Sequence, residues 1–302
     1  MTDIGLGETE ANAIALEVAR LVEENYVFPA EAAQLARLIA DRVAAGEYGS
    51  LGSAEDLAAA MTRDLQSVNG DRHLRVLFTE EPVVDLDDEE AELALYAARA
   101  DADAGGIGRA EILANNIGIV AIRPVLYPAV LVGDRISAAL SSLADADALI
   151  LDVRECRGGS PDTVALVCSY VFDETPVHLN SMVDRSGAET EQSWTLAAVP
   201  GKRFGSTKPV VVLTSSTTFS GGEELAYDLQ QLGRATVVGE QTGGGAHPRI
   251  GFRVHDNLEA TIPVARAINP TSGTNWELVG VTPDVASSAD DALERALAVL
   301  AS

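Results

Sequence analysis

Val210-Val211-Val212-Leu213-Thr214-Ser215-Ser216-Thr217-Thr218-Phe219-Ser220-Gly221-Gly222-Glu223-Glu224-Leu225-Ala226-Tyr227-Asp228-Leu229 orders the reading of this chain. Four successive aliphatic residues predict a fully buried strand, the hydroxyl-rich run and paired glycines predict a loop, and 221–232 then has helical spacing. The same pattern occurs earlier, as a buried strand over 148–153, the loop Arg154-Glu155-Cys156-Arg157-Gly158-Gly159-Ser160, and a helix over 162–171. A strand–loop–helix unit that recurs predicts a layered α/β core. Working outward, strands are expected over 117–122, 177–183, 192–196, 235–238, 249–254 and 258–263. Helices are expected over 133–143 and 289–300, with a loop over 269–276.

The first seventy residues differ. Ala13, Leu16, Val18, Ala19, Leu21 and Val22 recur at helical spacing, Pro29 ends that run, and 30–45 and 53–68 form two further amphipathic stretches. The expected organisation is an N-terminal three-helix cap over 1–68 and an α/β core over 69–302, the core opening with a turn at Asn69-Gly70-Asp71 and a strand over 73–78. Between 79 and 106, ten acids face Arg99 alone, which reads as a solvated acidic connector with a short helix near 89–100, or as a lid.

With 302 residues, 47% hydrophobic and 22% charged, the chain can bury a sizeable core, so disorder is excluded. Its longest apolar runs, 124–132 and 209–213, fall far short of the ~20 residues of a membrane span, and a soluble protein is expected. A net charge of −25 disfavours nucleic acid and anionic membrane as partners. Cys156 and Cys168 are too few for a disulfide framework and read as reduced thiols, and Met1-Thr2-Asp3-Ile4-Gly5 has no secretion-signal pattern, so the cytoplasm is expected. No His-x₃-His or Cys-x₂-Cys spacing occurs, so neither a metal nor a cofactor is expected. Only two lysines, Lys202 and Lys208, and four histidines could serve as a general base near neutrality.

Ser220 falls where a strand hands over to a helix, beside unpaired N–H groups and the positive end of the dipole, a setting that suits a nucleophile. Ser220 and Glu223 equally match a capping box. Two glycines at the start of a helix cost ~0.5–1 kcal/mol each relative to Ala, which points to close approach of a substrate. In the first repeat Ser160-Pro161 is a helix start, and Gly158-Gly159 either makes a tight turn or presents N–H groups to an oxyanion.

Phe219-Ser220-Gly221-Gly222-Glu223, the run Leu232-Gly233-Arg234-Ala235-Thr236-Val237-Val238-Gly239-Glu240-Gln241-Thr242-Gly243-Gly244, Asp152-Val153-Arg154 with Gly158-Gly159, and Asn275-Trp276-Glu277-Leu278-Val279-Gly280-Val281-Thr282-Pro283-Asp284 together resemble the tail-specific (C-terminal-processing) serine peptidase superfamily. The resemblance extends to Glu24-Asn25-Tyr26-Val27-Phe28-Pro29 in the cap. It is nearest the branch of the interphotoreceptor retinoid-binding modules and the tricorn core protease. It implies a ClpP/crotonase-like spiral β-β-α core and, because 74–115 is short, no PDZ domain. Where tail-specific members carry a catalytic lysine, this chain has Gly245. The tricorn-like branch uses a histidine matched by His73 and an acid matched by Glu277. The resemblance therefore implies Ser220 as nucleophile, His73 as base and Glu277 as its partner, with Gly158, Gly159 and Gly221 as the oxyanion hole. His247 is the rival base or a substrate contact. Cys156 and Arg157 depart from the family's oxyanion loop. Arg157 either faces solvent or binds a substrate carboxylate.

Three functions follow: a serine peptidase acting on short or unstructured peptides through an acyl-enzyme, a binder of apolar retinoid-like or lipid-like ligands, and an acyl-transfer or cyclisation enzyme. The expected partner is a peptide or small acyl substrate, and self-association stays open.

Overall fold

The computed structural model describes residues 4–83 and 89–301. Along the chain, α1 (Glu8–Asn25), α2 (Pro29–Ala44), α3 (Ala54–Gln66) and β1 (Arg75–Phe78) lead to α4 (Glu89–Ala102), β2 (Ile107–Leu113) and β3 (Ile117–Ile122). Then come α5 (Ala129–Ser142), β4 (Ala148–Asp152), α6 (Pro161–Val171), β5 (His178–Asp184), β6 (Glu189–Trp194), β7 (Val210–Thr214) and α7 (Gly221–Gln231). The chain closes with β8 (Thr236–Gly239), β9 (Arg249–His255), β10 (Leu258–Pro263), β11 (Ala265–Ile268), β12 (Val285–Ala286) and α8 (Ala292–Leu300). Helix α4 accounts for the expected short helix of the acidic connector, whereas Asp85, Asp87 and Asp88 lie outside the described residues.

Two compact units divide the chain. The first comprises 1–94, 182–190 and 247–266. Its core joins Ala15, Val18, Val22, Leu35, Ile39, Leu57 and Met61 of the three helices to Leu74, Val76, Leu258, Ala260 and Ile262. The helices thus pack on an antiparallel sheet of order β1-β10-β9, with Val76 opposite Ala260. A line drawn at residue 68 cuts through this unit. Three amphipathic helices leave apolar faces uncovered, and β1 with the distant β9–β10 hairpin supplies the surface that buries them.

The second unit comprises 95–181, 191–246 and 267–302. It carries a six-stranded sheet of order β12-β8-β7-β4-β3-β2, parallel except for β2, which runs antiparallel along β3. Every residue of β4 and β7 is buried, as their unbroken apolar runs require of strands covered on both faces. One face gathers Ile117, Ile119, Ile150, Val211 and Leu213 against Ala292 and Ala296 of α8. Strand β2 escaped the sequence reading because Ile107-Gly108-Arg109-Ala110-Glu111-Ile112-Leu113 is a largely exposed edge with glycine and charges. Strands β4 and β7 are neighbours, with Asp152 beside Leu213, so the loops after both emerge at one carboxyl edge of the sheet, where α/β folds bind ligands.

Candidate active site

Hydroxyls join these two loops. Ser215 Oγ and Thr217 Oγ1 donate to the Arg154 carbonyl at 2.5 and 3.0 Å, Thr218 Oγ1 donates to the Val153 carbonyl at 2.9 Å, and the Phe219 N–H donates to the Cys156 carbonyl at 3.0 Å. Ser215, Thr217 and Thr218 therefore hold the second loop against the first. At its end Ser220 adopts φ 50° and ψ −122°, a conformation that costs a residue with a Cβ on the order of 1–3 kcal/mol. Strain of that kind exposes a side chain on a sharp strand-to-helix turn.

The first loop meets Ser220 edge-on. Gly158 and Gly159 have φ 130° and 128°. A Cβ on Gly158 would lie 3.0 Å from Ser220 Cβ and 3.4 Å from its Oγ, and one on Gly221 would lie 2.7 Å from the Gly159 carbonyl. These glycines permit an approach that no other residue would allow. Leu126 fixes the loop from behind, donating to the Gly158 carbonyl at 2.8 Å and accepting from the Ser160 N–H at 2.7 Å. Among the described residues, the N–H groups of Gly158 and Gly159 make no backbone hydrogen bond, and Gly221 is the first residue of α7, whose N–H has no partner within the helix. Cys156 is buried against Gly222, and burial pushes its thiol up to about 11, which favours the protonated, unreactive form at neutral pH.

Glu223 does more than cap. The pair keeps capping-box form, but the Glu223 N–H makes its 2.8 Å bond to the Ser220 carbonyl. Its buried carboxylate receives the Ser220 N–H (2.8 Å), Thr242 Oγ1 (2.5 Å) and the N–H groups of Gly244 (2.6 Å) and Gly245 (2.9 Å). Burial raises its pKa against the opposing pull of these four donors. Gly245, at the position of the tail-specific lysine, thus contributes a backbone donor. Glu277, half-buried, accepts from the Ala246 N–H at 2.6 Å, and Trp276 Nε1 donates to the Gly245 carbonyl at 2.8 Å. Lys208 precedes β7 and donates to the Ala144 and Ala146 carbonyls, at the opposite end of that strand from Ser220.

His73 and His247 belong to the other unit, where one carboxylate joins them. Asp71, buried in the turn after α3, pairs through Oδ2 with His247 Nδ1 at 2.8 Å and accepts the His73 N–H through Oδ1 at 3.0 Å. Tyr26 Oη also donates to it, at 3.1 Å. Burial pushes the Asp71 carboxyl upward, but the bond and charge of His247 and the His73 N–H outweigh it and hold it below the usual range. Burial lowers His73 to about 4 against the pull of Asp71, so its imidazole is neutral at physiological pH. Sequence reading missed Asp71 as a partner, although its place two residues before His73 was a visible signal. His178 bonds Asn180 and Ser181 and stacks on Trp194, and His255 accepts the Asn257 N–H and faces Glu10 of α1 at 3.7 Å.

The candidate site is thus a strained serine at the carboxyl edge of a parallel sheet, packed against a loop of two positive-φ glycines. Residues 116–287 match the model of peptidase family S41, and residues 8–103 match the N-terminal domain of that family in eukaryotic IRBP. The chain belongs to peptidase family S41. It is 31% identical over 140 residues to the carboxyl-terminal-processing peptidase 2, chloroplastic, of Arabidopsis thaliana, a match covering 46% of this chain and 25% of that protein. A carboxyl-terminal-processing protease of Synechocystis sp. is 31% identical over 139 residues, covering 46% and 30%. The matches thus span under a third of the curated relatives' length. The fold is shared with the photosystem II D1 C-terminal processing protease (TM-score 0.56, 18% identity, 97% of each chain). A lipoprotein from Streptococcus agalactiae also shares it (0.62, 15%, 96% of each), as does the tricorn protease (0.59, 14%, 95% of this chain and 35% of that one). The expected α/β core with a helical N-terminus is borne out. No described helix is long and apolar enough to cross a membrane.

Proposed function

We propose that this chain is a serine peptidase cutting short or unstructured peptides through an acyl-enzyme on Ser220. The observation that carries the reading is the strained Ser220 turn with Gly158 against its side chain. Ser220 Oγ attacks the scissile carbonyl while His73 takes its proton and later returns it to the leaving amine. Glu277 is the acidic partner of His73, and the N–H groups of Gly158, Gly159 and Gly221 stabilise the oxyanion. Burial keeps His73 unprotonated, as a base must be, while a pKa near 4 makes it a weak proton acceptor. The crotonase-like spiral and a cytoplasmic site of action belong to the same proposal.

One contact favours a second reading, in which His247 is the base. Its 2.8 Å pairing with Asp71 has the imidazole–carboxylate form that orients a catalytic histidine. Fluorophosphonate labelling with mass spectrometry tests the nucleophile: Ser220 carries the adduct, and Ser220→Ala loses both adduct and turnover. An adduct elsewhere overturns the reading. The pH dependence of kcat/KM tests the base, since a proton acceptor of pKa about 4 places the acid limb near pH 4. Turnover that survives His73→Ala and is lost in His247→Ala transfers the role to His247.

A further inference from the structure

A pocket of about 490 Å³ opens beside the oxyanion loop, lined by Arg157, Thr217, Arg123, Glu155, Asp103 and Pro124 among others. It adjoins the nucleophile's turn by sequence on both sides: Arg157 directly precedes Gly158, and Thr217 lies three residues before Ser220. Its charges are unequally engaged. Arg123 bonds Glu155 at 3.3 Å and lies flat across Gly108, where a Cβ would come within 2.4 Å of Arg123 Nε. The Asp103 carboxylate is taken by the Tyr127 hydroxyl. Arg157 is exposed, and its guanidinium makes no hydrogen bond or ion pair among the described residues. Its backbone is nevertheless fixed, the N–H donating to the Pro124 carbonyl at 2.8 Å. Of the two guanidiniums lining this pocket, Arg157, rooted next to Gly158, is the one without an ion-pair partner among the described residues, in a chain with net charge −25.

We propose that Arg157 is a specificity-determining residue that receives a substrate carboxylate in this pocket, so that the preferred substrates carry a carboxylate close to the scissile bond. The inference rests on the serine-peptidase reading and deepens it. An arginine stem reaches about as far as two extended residues, ~7 Å, so the carboxylate belongs within about two residues of the attacked carbonyl. A chain-terminal carboxylate and an acidic side chain supply the same chemistry. Asp103 and Glu155 on the pocket wall disfavour a second negative charge there, which favours a single carboxylate over a run of acids.

The test uses the intact protein and peptide pairs that differ in one group: C-terminal acid against amide, and Glu against Gln one or two residues from the cleaved bond. The expected result is a kcat/KM ratio of at least about tenfold for one pair in the wild type, a ratio near one in Arg157→Ala, and an intermediate ratio in Arg157→Lys, which keeps charge but loses the bidentate fork. The pair that responds identifies the source of the carboxylate. For peptides that bind without being cut, protection of Ser220 from fluorophosphonate supplies the same ratio. A ratio near one in the wild type, or one unchanged in Arg157→Ala, overturns the proposal while Ser220 labelling upholds the peptidase reading. Absence of labelling at Ser220 in the wild type defeats the underlying reading instead.

Discussion

Segments β4–α6 and β7–α7 follow one sequence plan, a buried strand, a loop with glycines, then a helix opened by serine, and they diverge at the serine. Ser160 has φ −78° and ψ 130°, the ordinary conformation before a helix, and Pro161 follows at the first helical position. Ser220 has φ 50°, with two glycines after it. The helices diverge too. Val164 and Cys168, the fourth and eighth residues of α6, are buried and apolar, whereas Glu224 and Asp228 occupy the same positions of α7 and are equally buried. Asp228 accepts from Asn269 at 3.0 Å. The first segment therefore follows ordinary folding rules, and the second departs from them where chemistry is proposed. Departures of that kind concentrate at functional sites.

The comparison breaks most directly at the two serines. Ser220→Ala is expected to lower kcat/KM by at least ~10³-fold, and Ser160→Ala to leave fluorophosphonate labelling intact. Equal losses in both variants would mean that the segments share the catalytic work.

The two helices are sharpened by pH. Burial pushes Glu224 up to about 7, so the fold favours its protonated form. This stabilisation is complete below the unfolded value of 4.5 and is lost as pH rises towards about 7, and Asp228, also raised by burial and by the charge of Glu224, acts in the same direction. Glu224→Gln is expected to flatten that decline and to be more stable than wild type at pH 8, as read by denaturant midpoints at pH 5 and pH 8. An unchanged slope would show that the carboxyl is ionised in the folded protein.

The smallest expected effect concerns strain. Ser220→Gly relieves the positive φ and gives up some chain entropy, for a net gain of about 1 kcal/mol and a higher Tm together with lost labelling. Ser160→Gly relieves nothing and should lower stability by only about a few tenths of a kcal/mol, with Tm nearly unchanged. A fall in Tm for Ser220→Gly would mean that its side chain contributes more to stability than its backbone strain removes.

Strands β3, β4 and β7 and helices α1 to α3 were legible because each repeats one period without interruption. Edge strand β2 and the two-residue β12 were not, since pairing along one side leaves little hydrophobic pattern. At the site, the order Asp152-Val153-Arg154, Gly158-Gly159 and Ser220-Gly221-Gly222 was readable as motif. The clamp of Glu223 on Thr242, Gly244 and Gly245 was not, because residues about twenty apart carry no local sign of contact.

The sequence by itself determined the α/β core, the helical N-terminus and a candidate serine beside glycines, since those depend on periodicity and on residue type. Only the tertiary structure decided that β1, β9 and β10 complete the helical unit, that Asp71 binds His247, and that Ser220 is held in a strained conformation. Those outcomes depend on which distant surfaces cover one another, and hydrophobic burial is non-directional until the chain has closed around them.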